Sequence, residues 1–202
     1  MRALALALLL WVAAAPASAT VDAWPALFDV ARVAADDALN IRSGPGTDHE
    51  ILGTLAPDAR GVEVIETSRD GRWGRVNAGE GTGWVALAFL DRRPGQWSGA
   101  IPPLAACFGT EPFWQLETGD AWRMETPEGL VFDTPAPALV GSPSHRGHFA
   151  GAVTTENTGW TLTVLNRACS DGMSSRRYGF EALLVRMAPE TRLWSGCCTL
   201  AD

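Results

Sequence analysis

Residues 39–55, LNIRSGPGTDHEILGTL, constrain the fold of this chain more than any other stretch. A short β-like run, Leu39-Asn40-Ile41-Arg42, meets a cluster of breakers, Ser43-Gly44-Pro45-Gly46-Thr47, and a second apolar run follows from Ile51 to Leu55. Pro presets φ for a turn and Gly admits the positive φ that tight reversals use, so strand, turn and strand succeed one another here.

The β pattern continues. Gly61-Val62-Glu63-Val64-Ile65-Glu66-Thr67 alternates Val62 and Val64 against Glu63, which predicts one strand with a face in the core and a face in water. Arg69-Asp70-Gly71 is a turn signal leading into Arg72-Trp73-Gly74-Arg75-Val76-Asn77. Trp73 and Val76 cannot share a face of an ideal strand, so a bulge is expected at Gly74. Ala78-Gly79-Glu80-Gly81 forms the next turn, residues 82–86 the next strand, and Ala88-Phe89-Leu90 closes the series. Short strands joined by Gly-rich turns, without a long amphipathic helix, predict a small, strongly bent barrel.

The blocks LNIRSGPG, ILGTL, VEVIE, GRWGRV and TGWVALAFL, in that order, resemble the bacterial SH3 domain of secreted and cell-wall-associated proteins over residues 31–92. The resemblance implies an SH3-like module that recognises peptidoglycan peptides or protein segments and carries no catalysis of its own. Its ligand-binding candidates are Arg42, Trp73, Trp84 and Phe89. A structural expectation stands beside three of them: Trp73 and Trp84 fill the barrel core, because a small barrel has few other large side chains, and Arg42 bonds turn carbonyls.

The ends of this region are read from composition. Met1-Arg2, an apolar run over residues 3–15 and Ala17-Ser18-Ala19 make residues 1–19 a secretory signal peptide. No membrane insertion is then expected after cleavage, and the destination is the periplasm or the exterior. Residues 20–30 hold Trp24, Pro25, Leu27 and Phe28 and predict a packed helix or lead strand, so the first domain is set at residues 20–92. Removing the leader takes one Arg from 16 basic side chains, and 15 against 23 acidic ones gives a net charge of −8. Nucleic acid is excluded as a partner on that balance.

Residues 93–105, rich in Pro, Gly and Ser, read as a linker, with Trp97 leaning on one of the domains. Residues 106–202 then carry β-like runs at 121–125, 129–133, 149–154, 159–167, 178–187 and 192–200. They predict an antiparallel meander or barrel and an all-β protein overall. The blocks GTEPFW (residues 109–114), CSDGMS (169–174) and GCC (196–198) resemble an uncharacterised family of bacterial envelope proteins and lipoproteins, with a further likeness to small β-barrel domains of the META heat-shock lipoprotein kind.

Four cysteines in an exported chain predict two disulfides. Adjacent Cys197 and Cys198 are poorly placed to bond each other. If residues 196–200 form a strand, their thiols leave from opposite faces and serve Cys107 and Cys169 separately, in either pairing.

The sequence offers residues for three catalytic or metal chemistries. A cysteine hydrolase built on Cys169 with His145 and His148 lacks a helix start for a thiolate and a downstream His. A metal site from His145, His148, Cys197 and Cys198 lacks ligand spacing, and the two His fall on opposite faces of a strand. Glu111, Asp171 and Glu181 offer carboxylates for glycoside cleavage, which needs two at a fixed separation; Glu111 and Asp171 are expected to bond turn amides instead. Arg176 and Arg177 read as a solvated pair. The expectation is a non-catalytic binder of the cell envelope without metal or cofactor, with a cell-wall hydrolase or its auxiliary subunit, and a structural or assembly partner, as the alternatives.

Overall fold

The computed structural model describes residues 23–97 and 100–201. Residues 1–19, read from the sequence as a signal peptide, lie outside the described residues. The protein is all-β, with three antiparallel sheets and a single 3-10 turn, Leu87–Phe89, as its only helical element among the described residues. No helix there is long and apolar enough to cross a membrane.

The first unit uses eight strands: β1 (Ala26–Val30), β2 (Leu39–Arg42), β3 (Ile51–Leu55), β4 (Val62–Val64), β5 (Glu66–Thr67), β6 (Trp73–Ala78), β7 (Gly81–Ala86) and β8 (Leu90–Arg92). Five of them form a sheet in the order β3-β2-β7-β6-β5, and three form a second sheet in the order β4-β1-β8. The core between them holds Phe28, Val30, Leu39, Ile41, Val64, Val76, Val85 and Leu90.

The strand expected over residues 61–67 divides at Ile65. Val62–Val64 pairs with β1, whereas Glu66–Thr67 pairs with β6, so the chain bends there to pass from one sheet to the other. No bulge forms at Gly74; β6 and β7 pair in unbroken register. Gly74 instead permits a close approach, since a Cβ there would sit 2.6 Å from Val64 Cγ1 and 2.9 Å from Leu87 Cδ2.

The lead segment is a strand, and it is two-faced. Ala26, Phe28 and Val30 enter the first core, while Leu27 enters the core of the second unit. Antiparallel partners share a face, so Glu63, paired with Leu27, also turns toward the second unit. The water expected on that side is replaced by protein.

The second unit is a nine-stranded antiparallel sheet curled into a half-barrel. Its strands are β9 (Leu104–Thr110), β10 (Phe113–Thr118), β11 (Ala121–Thr126), β12 (Gly129–Pro135), β13 (Val140–Gly141), β14 (His148–Thr154), β15 (Gly159–Leu165), β16 (Phe180–Arg186) and β17 (Arg192–Leu200). Their order is β12-β11-β10-β9-β17-β16-β15-β14-β13, a meander into which the last strand returns between β9 and β16. Trp114, Trp122, Trp160, Trp194 and Phe180 dominate its core. The hairpin β9–β10 turns through Glu111-Pro112, which the block GTEPFW hid from strand periodicity.

Cys198 lies directly across from Cys107 in the β17–β9 ladder, and the two are bonded in the core. Cys197, on the other face of β17, bonds Cys169. The alternation of a strand thus separates the two adjacent thiols.

The two units are tied together by hydrogen bonds and packing at several places. Gln96 donates to the Leu27 carbonyl and accepts from its amide, both at 2.6 Å, and the buried Trp97 donates to Pro25 O at 3.0 Å while packing on Phe149 and Phe180. Asn166 reaches back to Trp24 O at 2.7 Å. The loop of the CSDGMS block sits on the β6–β7 turn, where Ser175 N–H donates to Glu80 O, and Asn77 exchanges two bonds with the Arg177 backbone. Arg176 and Arg177 stay open to solvent, and Arg176 in addition joins this contact, its Nε donating to Gly79 O at 2.6 Å.

Candidate functional site

The outer face of the five-stranded sheet carries the residues singled out in the sequence. Cross-strand register sets Arg42 opposite Trp84, Trp84 opposite Arg75, and Trp73 opposite Ala86. Inward positions on these strands go to Gly74, Val76, Gly83 and Val85, all buried. Trp73 and Trp84 therefore lie half-buried on the outside, contrary to the expectation that they fill the core. The physical reason is space: Val76, Val85, Ile41 and Val64 already close the small interior, and a Cβ at Gly83 would run into Ile41.

Arg42, Trp73 and Phe89 border one cavity of about 400 Å³, together with Arg32, Asn40 and Ala86. Arg42 Nη1 donates to the His49 carbonyl at 2.8 Å, so it pins the breaker loop that forms one wall. Phe89, at the end of the 3-10 turn, is 41% exposed and presents a ring to the cavity mouth. Trp84 does not line it; the Arg75 guanidinium covers its ring at 4.7 Å. A second cavity of about 640 Å³ shares Thr47, Trp73 and Ala86 with the first and continues over Pro45, Gly71 and Leu87. Together they form a groove between the breaker loop and the 3-10 turn.

Arg32 is the residue that the sequence did not flag. It occupies the left-handed region at φ 60°, a conformation that costs a non-Gly residue unless its surroundings hold it. Three bonds do so: to Ala88 O at 2.7 Å, Asp91 Oδ1 at 2.6 Å and Leu90 O at 3.0 Å. They position the turn that carries Phe89. A lone Arg among small residues carries no periodic signal that could have revealed this.

A third cavity, about 270 Å³, lies in the second unit where the three sequence blocks meet. Glu111, Asp171 and Glu181 all border it, with the half-buried Cys169. Asp171 accepts from Ser174 Oγ at 2.6 Å and from the amides of Ser174 and Met173, bonds that hold its carboxyl below the usual carboxylate range. Glu181 pairs with Arg167. Two of the three carboxylates are thereby engaged in holding loops, and Asp171 bonds turn amides as expected; Glu111 stands exposed at the β9–β10 turn.

His145 and His148 are not on opposite faces. His145 sits in the turn before β14, so the rings stack with centroids 5.2 Å apart. Among the described residues no group of three or more His, Cys, Asp or Glu is placed to hold a metal ion.

The groove thus has aromatic walls on a small bent β unit and is bordered by loops that Arg32 and Arg42 hold in place. The family model of the bacterial SH3 domain matches residues 37–91, the part that supplies most of the groove's walls, among them Arg42, Trp73 and Phe89. No curated protein matches the chain, and no solved structure matches it either.

Proposed function

We propose that the protein is an exported, non-catalytic binder of the cell envelope whose first unit takes peptidoglycan peptides or a protein partner in the groove between the breaker loop and the 3-10 turn. The observation that carries this reading is the convergence on one cavity of Arg42, Trp73 and Phe89, all three from the segment that matches the bacterial SH3 domain. Bacterial SH3 domains are modules of cell-wall and peptidoglycan binding, and two disulfides suit an oxidising, extracytoplasmic compartment. The engaged carboxylates of the second unit support a binding rather than a hydrolytic role.

Purified sacculi test the proposal. The mature protein is expected to co-sediment without releasing soluble fragments, and Trp73→Ala to lose at least tenfold in affinity, because a half-buried aromatic wall of a binding cavity is a typical hot spot. Trp84→Ala, outside the cavity, is expected to bind as the parent does. Release of muropeptides would establish the hydrolase alternative. Failure to sediment, with co-purification of an envelope protein, would establish the assembly alternative.

A further inference from the structure

The groove does not end at Leu87. A separate cavity of about 310 Å³ shares Gly71 and Leu87 with it and is otherwise lined by Trp24, Phe28, Thr67 and Arg92. Trp24 and Phe28 stack face to face, with centroids 5.7 Å apart and planes 7° from parallel. The Arg92 guanidinium lies over both rings, its Cζ 5.4 Å from one centroid and 5.8 Å from the other. Register explains the cluster: Phe28 on β1 is paired directly with Arg92 on β8.

The guanidinium is incompletely satisfied. Its Nη2 donates to the Ala23 carbonyl at 2.8 Å, whereas the buried Nη1 has no hydrogen-bond partner among the described residues. Ring faces attract the cation without accepting its N–H groups as an oxygen would. A buried donor without an acceptor is costly, and Arg92 is the one charged residue that lines the cavity, whose other walls are Trp24, Phe28, Thr67, Gly71 and Leu87. The neighbouring carboxylates are engaged elsewhere: Asp91 with Arg32, and Asp29 with Arg93.

The acceptor that a planar donor fork fits best is a carboxylate. Trp24, Phe28 and Leu87 supply an apolar wall beside it, suited to the side chain next to that carboxylate. We propose that Trp24, Phe28 and Arg92 form a second binding subsite, which takes the terminal carboxylate of a peptide chain together with its last side chain. All three residues lie outside the segment that matches the bacterial SH3 domain, so the subsite is an addition made by the lead strand and β8. Its location at the end of the groove lets one extended peptide occupy both, but the subsite stands on its own residues and does not require the groove reading.

Three short peptides titrated into uniformly ¹⁵N-labelled protein test it: acetyl-Ala-Ala-Phe as the free acid, the same peptide as its C-terminal amide, and acetyl-Ala-Asp-Phe amide. The readouts are the Arg92 Nε–H and Trp24 indole N–H resonances, the latter assigned by its loss in Trp24→Phe. The free acid is expected to shift both saturably and the amide to bind at least tenfold more weakly. Arg92→Gln is expected to abolish the shifts of the Trp24 resonance, and Arg92→Lys, which keeps the charge but not the fork, to weaken binding about fivefold. Arg146→Gln, on the exposed turn before β14, should leave them unchanged, and co-sedimentation with sacculi reads the groove by itself, so failure of the subsite and failure of the groove are separable. Equal binding of acid and amide, unchanged binding by Arg92→Gln and Arg92→Lys, or binding of the Asp peptide alone would overturn the proposal.

Discussion

Glu63 is expected to make the protein less stable above neutral pH. Its carboxyl is buried between the two units; among the described residues Oε2 accepts only the Leu200 amide, at 3.4 Å, and Oε1 has no hydrogen-bond partner. Tyr178 is the titratable side chain that faces it from the second unit. Burial pushes the carboxyl up from 4.5 to about 7, against the small opposing effect of the Leu200 bond. A rise of about 2.5 pH units at 1.36 kcal/mol per unit amounts to ~3 kcal/mol. The sign follows from the direction: the folded protein holds this proton more tightly than the unfolded chain, so its stability is full below pH 4.5 and falls as pH climbs through 7. Glu63→Gln removes the charge and keeps an acceptor for Leu200. In urea unfolding followed by Trp fluorescence, the variant should match the parent at pH 4.5 and exceed it by up to ~3 kcal/mol at pH 8.5. A difference between the two proteins that is the same at both pH values would refute burial as its cause.

The two disulfides should differ in weight and in access. Loop-closure entropy for sequence separations of 91 and 28 residues gives ~4.6 kcal/mol for Cys107–Cys198 and ~3.6 kcal/mol for Cys169–Cys197; thermal unfolding of the paired Cys→Ser variants measures both. Mild reductant followed by alkylation and peptide mapping should label Cys169 and Cys197 first, because Cys169 is half-buried beside a cavity while Cys107 and Cys198 are fully buried. Gly196→Ala should cost more than about 2 kcal/mol, since a Cβ there overlaps the Phe108 carbonyl on the adjacent strand, a backbone atom that cannot step aside. Gly119→Ala, whose Cβ would meet nothing within 4 Å, is the control and should be nearly neutral in denaturant melts.

Local pattern was enough for some of this. Turn residues and apolar alternation over residues 39–92 predicted the strand series, because turn chemistry and the period of two act within a few residues; the bacterial SH3 likeness came from the resemblance of five sequence blocks. The same alternation separated Cys197 from Cys198 and left only their partners open. Register across β17 and β9 decided those partners, since pairing between strands some ninety residues apart leaves no trace in local periodicity. Composition could name Arg42, Trp73, Trp84 and Phe89 but not their sides: Trp73 and Trp84 were pushed outward by a core already filled with Val and Ile, and only Trp73 meets the cavity. Glu63 and Leu27 show the largest gap. Each follows the strand alternation faithfully, yet which environment lies on the far face, water or a second core, was fixed by the docking of the other unit. That choice belongs to tertiary structure, because periodicity states that two faces differ and cannot state what covers each of them.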